Sequence, residues 1–422
     1  MLDEALSRTM LLMRTDLTEE ATDAQLLKAL TSTSVVLRAS AAALATNSGQ
    51  SAFITAATEM ARSGHEIWLD APDVPLNGPQ PPMVTGTLIQ GLLELGADLL
   101  PGTQFRTGAP EDMPDLVIGF GETNAAIALN ASDWSAKLTS RPEAGTDWAA
   151  GEWPIGGLAA ACLAAGEAFK ASMRKLRSYA RQPALFDDLY AAATDVSIEL
   201  ALGDMAKATD LGRFDIISGG AIANCLLHAL YRCPGLAGKG RVMDDDTSAI
   251  SNLNRNALLR RSRLGDAKVD DLASYGGRLQ VEPLVHRYGA GGDEPILAPT
   301  VVVGVDHIPS RWEAQLSRPE WLGIGATERF SVQVSFHERE TACAQCLHPE
   351  DAPIDGPIPT AAFVSYWAGL LLAVSLLRKA IGEAPRLHEQ QVFFPALRPE
   401  AWAHSAWPVP KRDGCPTCAA LA

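Results

Sequence analysis

The chain has 422 residues, of which 47% are apolar and 20% charged, a globular composition long enough for roughly two to three domains. Lys and Arg number 35 against 50 Asp and Glu, a net charge of −15, which disfavours nucleic acid or an anionic membrane as partner without ruling out a local basic patch. ATP stays compatible with that balance, because phosphates are held locally by backbone N–H groups, Arg, Lys and metal.

The N-terminus, "MLDEALSRTM", has no basic head followed by an apolar core, so no secretory leader is expected. The alanine-rich stretches "DAQLLKALTSTSVVLRASAAALA" and "SAFITAATEMARSG" both space their apolar residues as helices do. "HEIWLDAP" and "PDLVIGF" follow as strand-like runs, with the Pro- and Gly-rich loop Pro72–Met83 between them. "IGGLAAACLAAGEAFKASMRKL" reads as a small-residue helix able to pack closely on a sheet. Residues from about 60 to 180 thus form an α/β unit. "RQPALFDDLYAAATDVSIELALGDMAKATDLGR" is expected to join it to a second α/β unit beginning at "FDIISGGAIANCLLHAL". Each half has a strand running into glycines, too weak a likeness to argue a repeat.

In the second unit, Ile216 and Ile217 end a strand, Ser218 to Ala223 form a tight turn, and a helix runs from Asn224. Such a turn lets a phosphate approach the backbone at a positive helix N-terminus, with Gly219 and Gly220 leaving the room. The bland alternative is a strand–helix turn with no ligand. The short strand "RVMDDD" comes next. Asp244 lies 24 residues after Gly220, where a carboxylate accepts hydrogen bonds from ribose hydroxyls. Asp246, Asn252 and Arg255 follow within "DDDTSAISNLNRN", and Lys268 thirteen residues after Arg255. An Arg and a Lys near a phosphate-binding turn suit a triphosphate better than a dinucleotide. Asp306 then ends the strand-like "PTVVVGVD", either as a Mg²⁺ ligand or as a helix N-cap.

Two CxxC pairs, Cys343/Cys346 and Cys415/Cys418, stand 68 residues apart. Four thiolates close a tetrahedral Zn²⁺ site and leave no position open for catalysis, so the zinc is expected to be structural. They also argue for a reduced, cytoplasmic compartment. Between the pairs lies "AAFVSYWAGLLLAVSLL", 17 uncharged residues from Ala361 to Leu377, read as a buried core helix rather than a membrane span. Cys162, Cys225 and Cys233 are read as packing residues.

Residues from about 213 to 422 resemble the adenylating enzymes of the ubiquitin-activating, MoeB and ThiF group. The ordered elements that carry the resemblance are the glycine turn, "DDDTSAISNLNRN", "GDAKVDDLA", "VVVGVDHIPSR", the two CxxC pairs and the long apolar helix between them. The resemblance implies a Rossmann-like ThiF-type adenylation domain with a four-cysteine zinc knuckle over residues 201–422. Ahead of it, residues 1–200 would form a helical region and a second, inactive α/β Rossmann-like domain, because they lack the Asp-x-Asp…Asn-x-x-Arg element. By resemblance, Asp244 binds ribose, Asn252 and Arg255 contact phosphates, Lys268 neutralises developing charge, and Asp306 holds Mg²⁺. The family uses ATP to activate a C-terminal carboxylate, so the partners implied are a ubiquitin-like or sulfur-carrier protein and a downstream conjugating protein. The assembly would be a monomeric pseudo-dimer or a homodimer. Such enzymes often take one more arginine from the opposite half, for which Arg181 is a candidate. The segment that carries a thioester-forming cysteine in some members reads "LHPEDAPIDGPIPTAAFVSY" here and has none. Thr360, then Ser365, become candidate acyl acceptors with His337 or His348 as a base; otherwise Thr360 is a helix N-cap. Adenylation of a short peptide and a nucleotide-binding scaffold without turnover are the other readings.

Overall fold

The computed structural model describes all residues except 84–85, 109, 122–123, 141–147, 150, 201–206, 208, 290, 292, 350–355, 384–389 and 402–405. The expected boundary at residues 200 and 201 adjoins 201–206, which lie outside the described residues. Two sheets organise the chain. The first contains β1 Ser34–Ala39, β2 Glu66–Asp70, β3 Phe105–Thr107, β4 Leu116–Phe120, β5 Ile127–Ala131, β6 Ser135–Ser140 and β7 Asp195–Glu199. The second contains β8 Asp210–Ile217, β9 Ala237–Met243, β10 Leu279–Leu284, β11 Thr300–Val303, β12 Trp321–Glu328, β13 Ser331–His337, β14 Gln391–Pro395 and β15 Ala406–Trp407.

Their orders, β3-β2-β1-β4-β5-β6-β7 and β10-β9-β8-β11-β12-β13-β14-β15, are one topology used twice. In each, five parallel strands turn antiparallel after the fifth. Each first crossover carries a helix, Asn47–Arg62 and Ala221–Leu230. Each sixth strand is followed by a long buried helix, Ile155–Arg174 and Ala362–Ala380. The repeat left unargued from sequence is therefore present as topology, and both halves are Rossmann-like in strand order.

Three expectations change. "TSTSVVLRASAAALA" is not helical throughout: Ser34–Ala39 is the central strand β1. A strand buried on both faces reads as a continuous apolar run, which spacing does not separate from a helix, and Val35 and Val36 favour the strand. The stretch expected to join the halves instead supplies the Pro183–Leu189 helix and edge strand β7. The helix expected from Asn224 begins at Ala221, so the turn is only Ser218–Gly220.

The Ala362–Ala380 helix is the one described helix long and apolar enough to cross a membrane, yet 89% of its most apolar window is buried inside the protein. It packs on the Ala221–Leu230 helix on one side and approaches the Ile155–Arg174 helix on the other. Phe363 and Phe169 meet there at 5.5 Å between ring centroids. The largest apolar core consequently runs through both halves, from Ala5 to Leu397.

Candidate functional site

The carboxyl ends of β8, β9, β10 and β11 open onto a cleft of about 520 Å³. At its floor, the chain leaves β8 through Ser218, whose φ of 124° is unusual for a residue with a side chain. Its Oγ accepts from Gly220 N–H at 2.9 Å, and its own N–H donates to Met243 O at 2.9 Å. Asn224 Nδ2 donates to the carbonyls of Gly219 and Gly220 at 3.1 and 3.0 Å, tying the turn to the helix that follows. A Cβ at Gly219 would fall 2.9 Å from Lys268 Cβ and 3.1 Å from Asp244 Cβ, so only glycine allows these two side chains to close behind the turn. Gly220 lines the cleft and Gly219 sits behind it.

At the end of β9, Asp244 accepts Gly219 N–H at 2.6 Å and Asp246 N–H at 2.9 Å, one on each carboxylate oxygen. Lys268 Nζ lies 2.5 Å from Asp246 Oδ2 and 3.6 Å from Asp244 Oδ1. Asn252 Oδ1 accepts Ala249 N–H at 2.8 Å, which fixes the start of the polar turn. Three residues on, Arg255 Nη1 donates to Ser251 O and, at 2.9 Å, to Asn254 Oδ1. Burial and the neighbouring Arg8 push the Arg255 guanidinium down to about 10, against the opposing pull of Asp306.

Asp306 follows β11 and faces the cleft. It is not the N-cap of the next helix, Ile308–Leu316; His307 holds that position. Partial enclosure raises its carboxyl above the ordinary range, opposed by Arg311, Arg255, Arg8 and Lys268. The Asp306 carboxylate takes no hydrogen bond or ion pair from a described residue, so its oxygens are free for a hard cation such as Mg²⁺.

The first half contributes to this cleft. Arg8, on the Ser7–Arg14 helix, lines it beside Arg255 and Asp306. Arg181, the candidate for that place, lies elsewhere: its N–H donates to Asp16 O at 3.1 Å and its Nη2 to Leu17 O at 3.1 Å. Arg8 carries no sequence signal, since nothing in its local pattern relates it to residues some 240 positions away. His286, Arg287 and Tyr288 line the cleft just beyond β10, and were also missed. Their place after a strand's carboxyl end was the available clue.

The matching edge of the first sheet carries an ion pair instead. Arg38 on β1 ion-pairs with Asp70 at the end of β2, Nε to Oδ2 at 2.8 Å, and donates to Asn124 O at 2.5 Å.

Thr360 and Ser365 line the cleft at its far side, both nearly buried, with their Oγ atoms 3.1 Å apart. Thr360 N–H donates to Arg8 O at 3.3 Å. Ala361, not Thr360, occupies the N-cap position of the Ala362–Ala380 helix, so the capping alternative fails. Neither candidate base reaches Thr360. His337 is held by Ser335 and Ala342 O at 3.0 and 2.7 Å, and His348 Nε2 lies 3.2 Å from Arg311. Burial pushes the two imidazoles down to about 4 and about 3. Cys162, Cys225 and Cys233 are buried in the core, where burial raises their thiols.

Away from the cleft, Cys343, Cys346, Cys415 and Cys418 converge, with all four Sγ atoms within 4.8 Å of one another. Four of the six Sγ–Sγ separations run from 3.3 to 3.7 Å, near the ~3.8 Å edge of a tetrahedron with Zn–S bonds of about 2.3 Å. All four are free thiols in the structure. Arg412 N–H points at Cys346 Sγ at 3.3 Å, as expected of an outer partner for a thiolate. The set fits Zn²⁺ and pins the C-terminal Pro416–Leu421 helix against the Ala344–Leu347 turn.

Residues 34–187 match the family model described as the BilD N-terminal domain. The chain is 25% identical over 279 residues to the uncharacterized protein y4jF of Sinorhizobium fredii (strain NBRC 101917 / NGR234), covering 61% of this chain and 51% of that one. It thus spans about half the length of that relative. Among solved structures, E. coli MccB with AMPCPP and selenomethionine MccA is similar at a TM-score of 0.39 and 16% identity, over 49% of this chain and 66% of that chain. Selenomethionine PaaA is similar at 0.34 and 14%, over 44% and 69%.

Proposed function

We infer that the cleft binds ATP and adenylates a carboxylate at the C-terminus of a ubiquitin-like or sulfur-carrier protein. The observation that carries this reading is the convergence of Asp244, Asn252, Arg255, Lys268 and Asp306, with Arg8 from the other half, around one glycine turn and helix N-terminus. A dinucleotide needs the turn and the ribose carboxylate; it has no use for three cations and a free carboxylate beside them.

In the proposed step, an oxygen of the acyl donor's carboxylate bonds to the α-phosphorus. The bond from that phosphorus to the bridging oxygen breaks, and pyrophosphate leaves with the electron pair. Negative charge builds on the phosphoryl oxygens and the leaving group. Arg255 and Arg8, already facing the cleft, would meet it with little reorganisation, which is where such a site gains most. Asp306 would hold Mg²⁺, which supplies further charge neutralisation on the phosphates when bound. Lys268, paired with Asp246 here, would shift toward phosphate as it binds.

The reading stops at the acyl adenylate. The geometry weakens Thr360 as a nucleophile, since among the described residues its hydroxyl has only Ser365 Oγ and, at 3.5 Å, Ala361 O within reach and no base. The acceptor is then a nucleophile on a downstream protein. Arg8 supplied from the same chain favours a pseudo-dimer within one chain.

ATP–pyrophosphate exchange with a glycine-terminated ubiquitin-like protein tests the reading. Asp306→Ala and Arg255→Ala should each lower exchange by roughly two to three orders of magnitude. Near-normal exchange in either variant would sink it. Exchange supported by a short peptide, and not by a folded carrier, would reassign the acyl donor.

A further inference from the structure

The Asn47–Arg62 helix of the first half ends in an arginine that is completely buried. Its guanidinium reaches into the second half. Nη1 donates to Leu253 O at 2.7 Å, and Nη2 donates to Ala257 O at 3.0 Å and Leu259 O at 2.7 Å. These carbonyls bracket the turn that presents Arg255 and Asn256 to the cleft, directly after Asn252.

The chemistry of the contact is specific. The Leu253–Leu259 turn belongs to no sheet, so its buried carbonyls need donors from elsewhere. A guanidinium offers a planar fork that serves three acceptors at once; a lysine ammonium on the same stem cannot match that plane. The same turn has a second tie to the first half, Asn254 Nδ2 to Thr9 Oγ1 at 2.9 Å. Thr9 follows Arg8, which lines the cleft. Both anchors therefore come from residues of the first half, and Arg255 sits between them with Asn252 directly ahead. Glu59, one turn before Arg62 and also completely buried, is a neighbouring carboxyl and makes no hydrogen bond among the described residues.

We propose that Arg62 is a positioning residue for nucleotide binding, holding the Leu253–Leu259 turn so that Asn252 and Arg255 face the cleft. This deepens the ATP-site reading and rests on it. Arg62 touches no ligand; it acts through three backbone carbonyls. Loosening the turn should weaken the hold on the phosphates and leave the acyl donor's own contacts alone.

The test uses the full chain and Arg62→Lys. Amide hydrogen exchange over residues 253–259 without nucleotide reads the clamp, and titration with ATP reads its consequence. The expected result is exchange at least ten-fold faster over that turn, with β11 and β12 unchanged. The ATP Kd and the KM for ATP should rise by about ten-fold or more, with the KM for the acyl donor unmoved. A residue that only stabilised the fold would lower Tm and the active fraction without moving Kd or KM, and that result overturns the proposal. Faster exchange with unaltered ATP affinity overturns it equally. If Arg62→Lys fails to fold, the wild-type chain still decides: the Arg62 Nη–H protons should exchange slowly by NMR, and fast exchange removes the clamp. Absence of ATP binding by wild type would refute the site reading itself, and the proposal with it, while hydrogen exchange would report separately on the clamp.

Discussion

Gly369→Ala should damage the protein where the same change at Gly166 should strengthen it. Gly369 lies in the Ala362–Ala380 helix where it crosses the Ala221–Leu230 helix. A Cβ there would stand 2.5 Å from Cys225 Cβ, 2.6 Å from Leu226 N and 2.8 Å from Ile222 O. Two of the three are backbone atoms, which cannot swing aside. Ordinary contact begins near 3.4 Å, so the helices must part by about 0.9 Å at the crossing. Overpacking of this kind costs about 1–3 kcal/mol. Replacing glycine in a helix interior returns about 1 kcal/mol. With backbone on the far side the cost belongs at the upper end, leaving a net loss of about 2 kcal/mol and a Tm lower by roughly 4–8 °C. Gly166, in the Ile155–Arg174 helix, has its nearest neighbours at 3.8 Å, so alanine fits and the propensity gain of about 1 kcal/mol stands alone. The Ala221–Leu230 helix displaced in Gly369→Ala begins where the proposed phosphate turn ends, and a shift of about 1 Å there should cost up to about a hundred-fold in exchange activity. Thermal unfolding of both variants with the KM for ATP checks this. Tm shifts of the same sign, or an unchanged KM in Gly369→Ala, would refute the link from helix crossing to site.

Arg8→Ala should lower ATP–pyrophosphate exchange by about a hundred-fold while Arg181→Ala leaves it near wild type, and equal losses would remove Arg8 from the site. Burial raises the Glu59 carboxyl from 4.5 to about 8, over the opposing charges of Arg62 and Arg232. The folded state thus prefers the proton, and the wild type loses stability as pH climbs from about 4.5 toward 8, by a ceiling of roughly 5 kcal/mol. Glu59→Gln should therefore gain Tm relative to wild type steadily across that window and level off above it; a gap that shrinks as pH rises would contradict the assignment. The purified chain should carry one zinc by elemental analysis, and Cys415→Ser should lose it with several kcal/mol of stability. A metal-free, equally stable wild type would leave the four thiols as an unfilled cluster.

The second half was legible because its chemistry is local. The turn, Asp244, Asn252, Arg255 and Lys268 fall within two successive strand–helix–strand crossovers, from β8 to β10, where spacing carries geometry. The cysteine pairs announce themselves by CxxC, and the structure brings their four thiols together. The long apolar helix read correctly because its length and flanking charges fit a core better than a bilayer. The first half read less well. Its central strand β1 holds the short unbroken apolar run Val35–Leu37, which periodicity does not separate from helix, and edge strand β7 was mistaken for a connection. Arg8, Arg62 and Thr9 were invisible for another reason. They act across the interface between halves, on residues some 190 to 250 positions distant, and no pattern in a single sequence encodes such a meeting.

What the two halves do with one topology follows from their edges. In the first sheet, Arg38 and Asp70 form a solvent-exposed ion pair at the ends of β1 and β2, and no glycine turn follows β1. In the second, the corresponding edge keeps Ser218–Gly220 clear and ranges carboxylates and cations around it. The first half nevertheless sends three side chains outward to that edge: Arg8 into the cleft, and Arg62 and Thr9 onto the turn beside it. Burying a guanidinium such as Arg62 is unfavourable unless all its partners are fixed. Its partners are carbonyls of the other half, so the contact exists only while the halves are locked through the shared core of Phe169, Phe330 and Phe363. Packing between the sheets is thereby part of the proposed nucleotide site, and the first half, through Arg8, forms one wall of the cleft in the second.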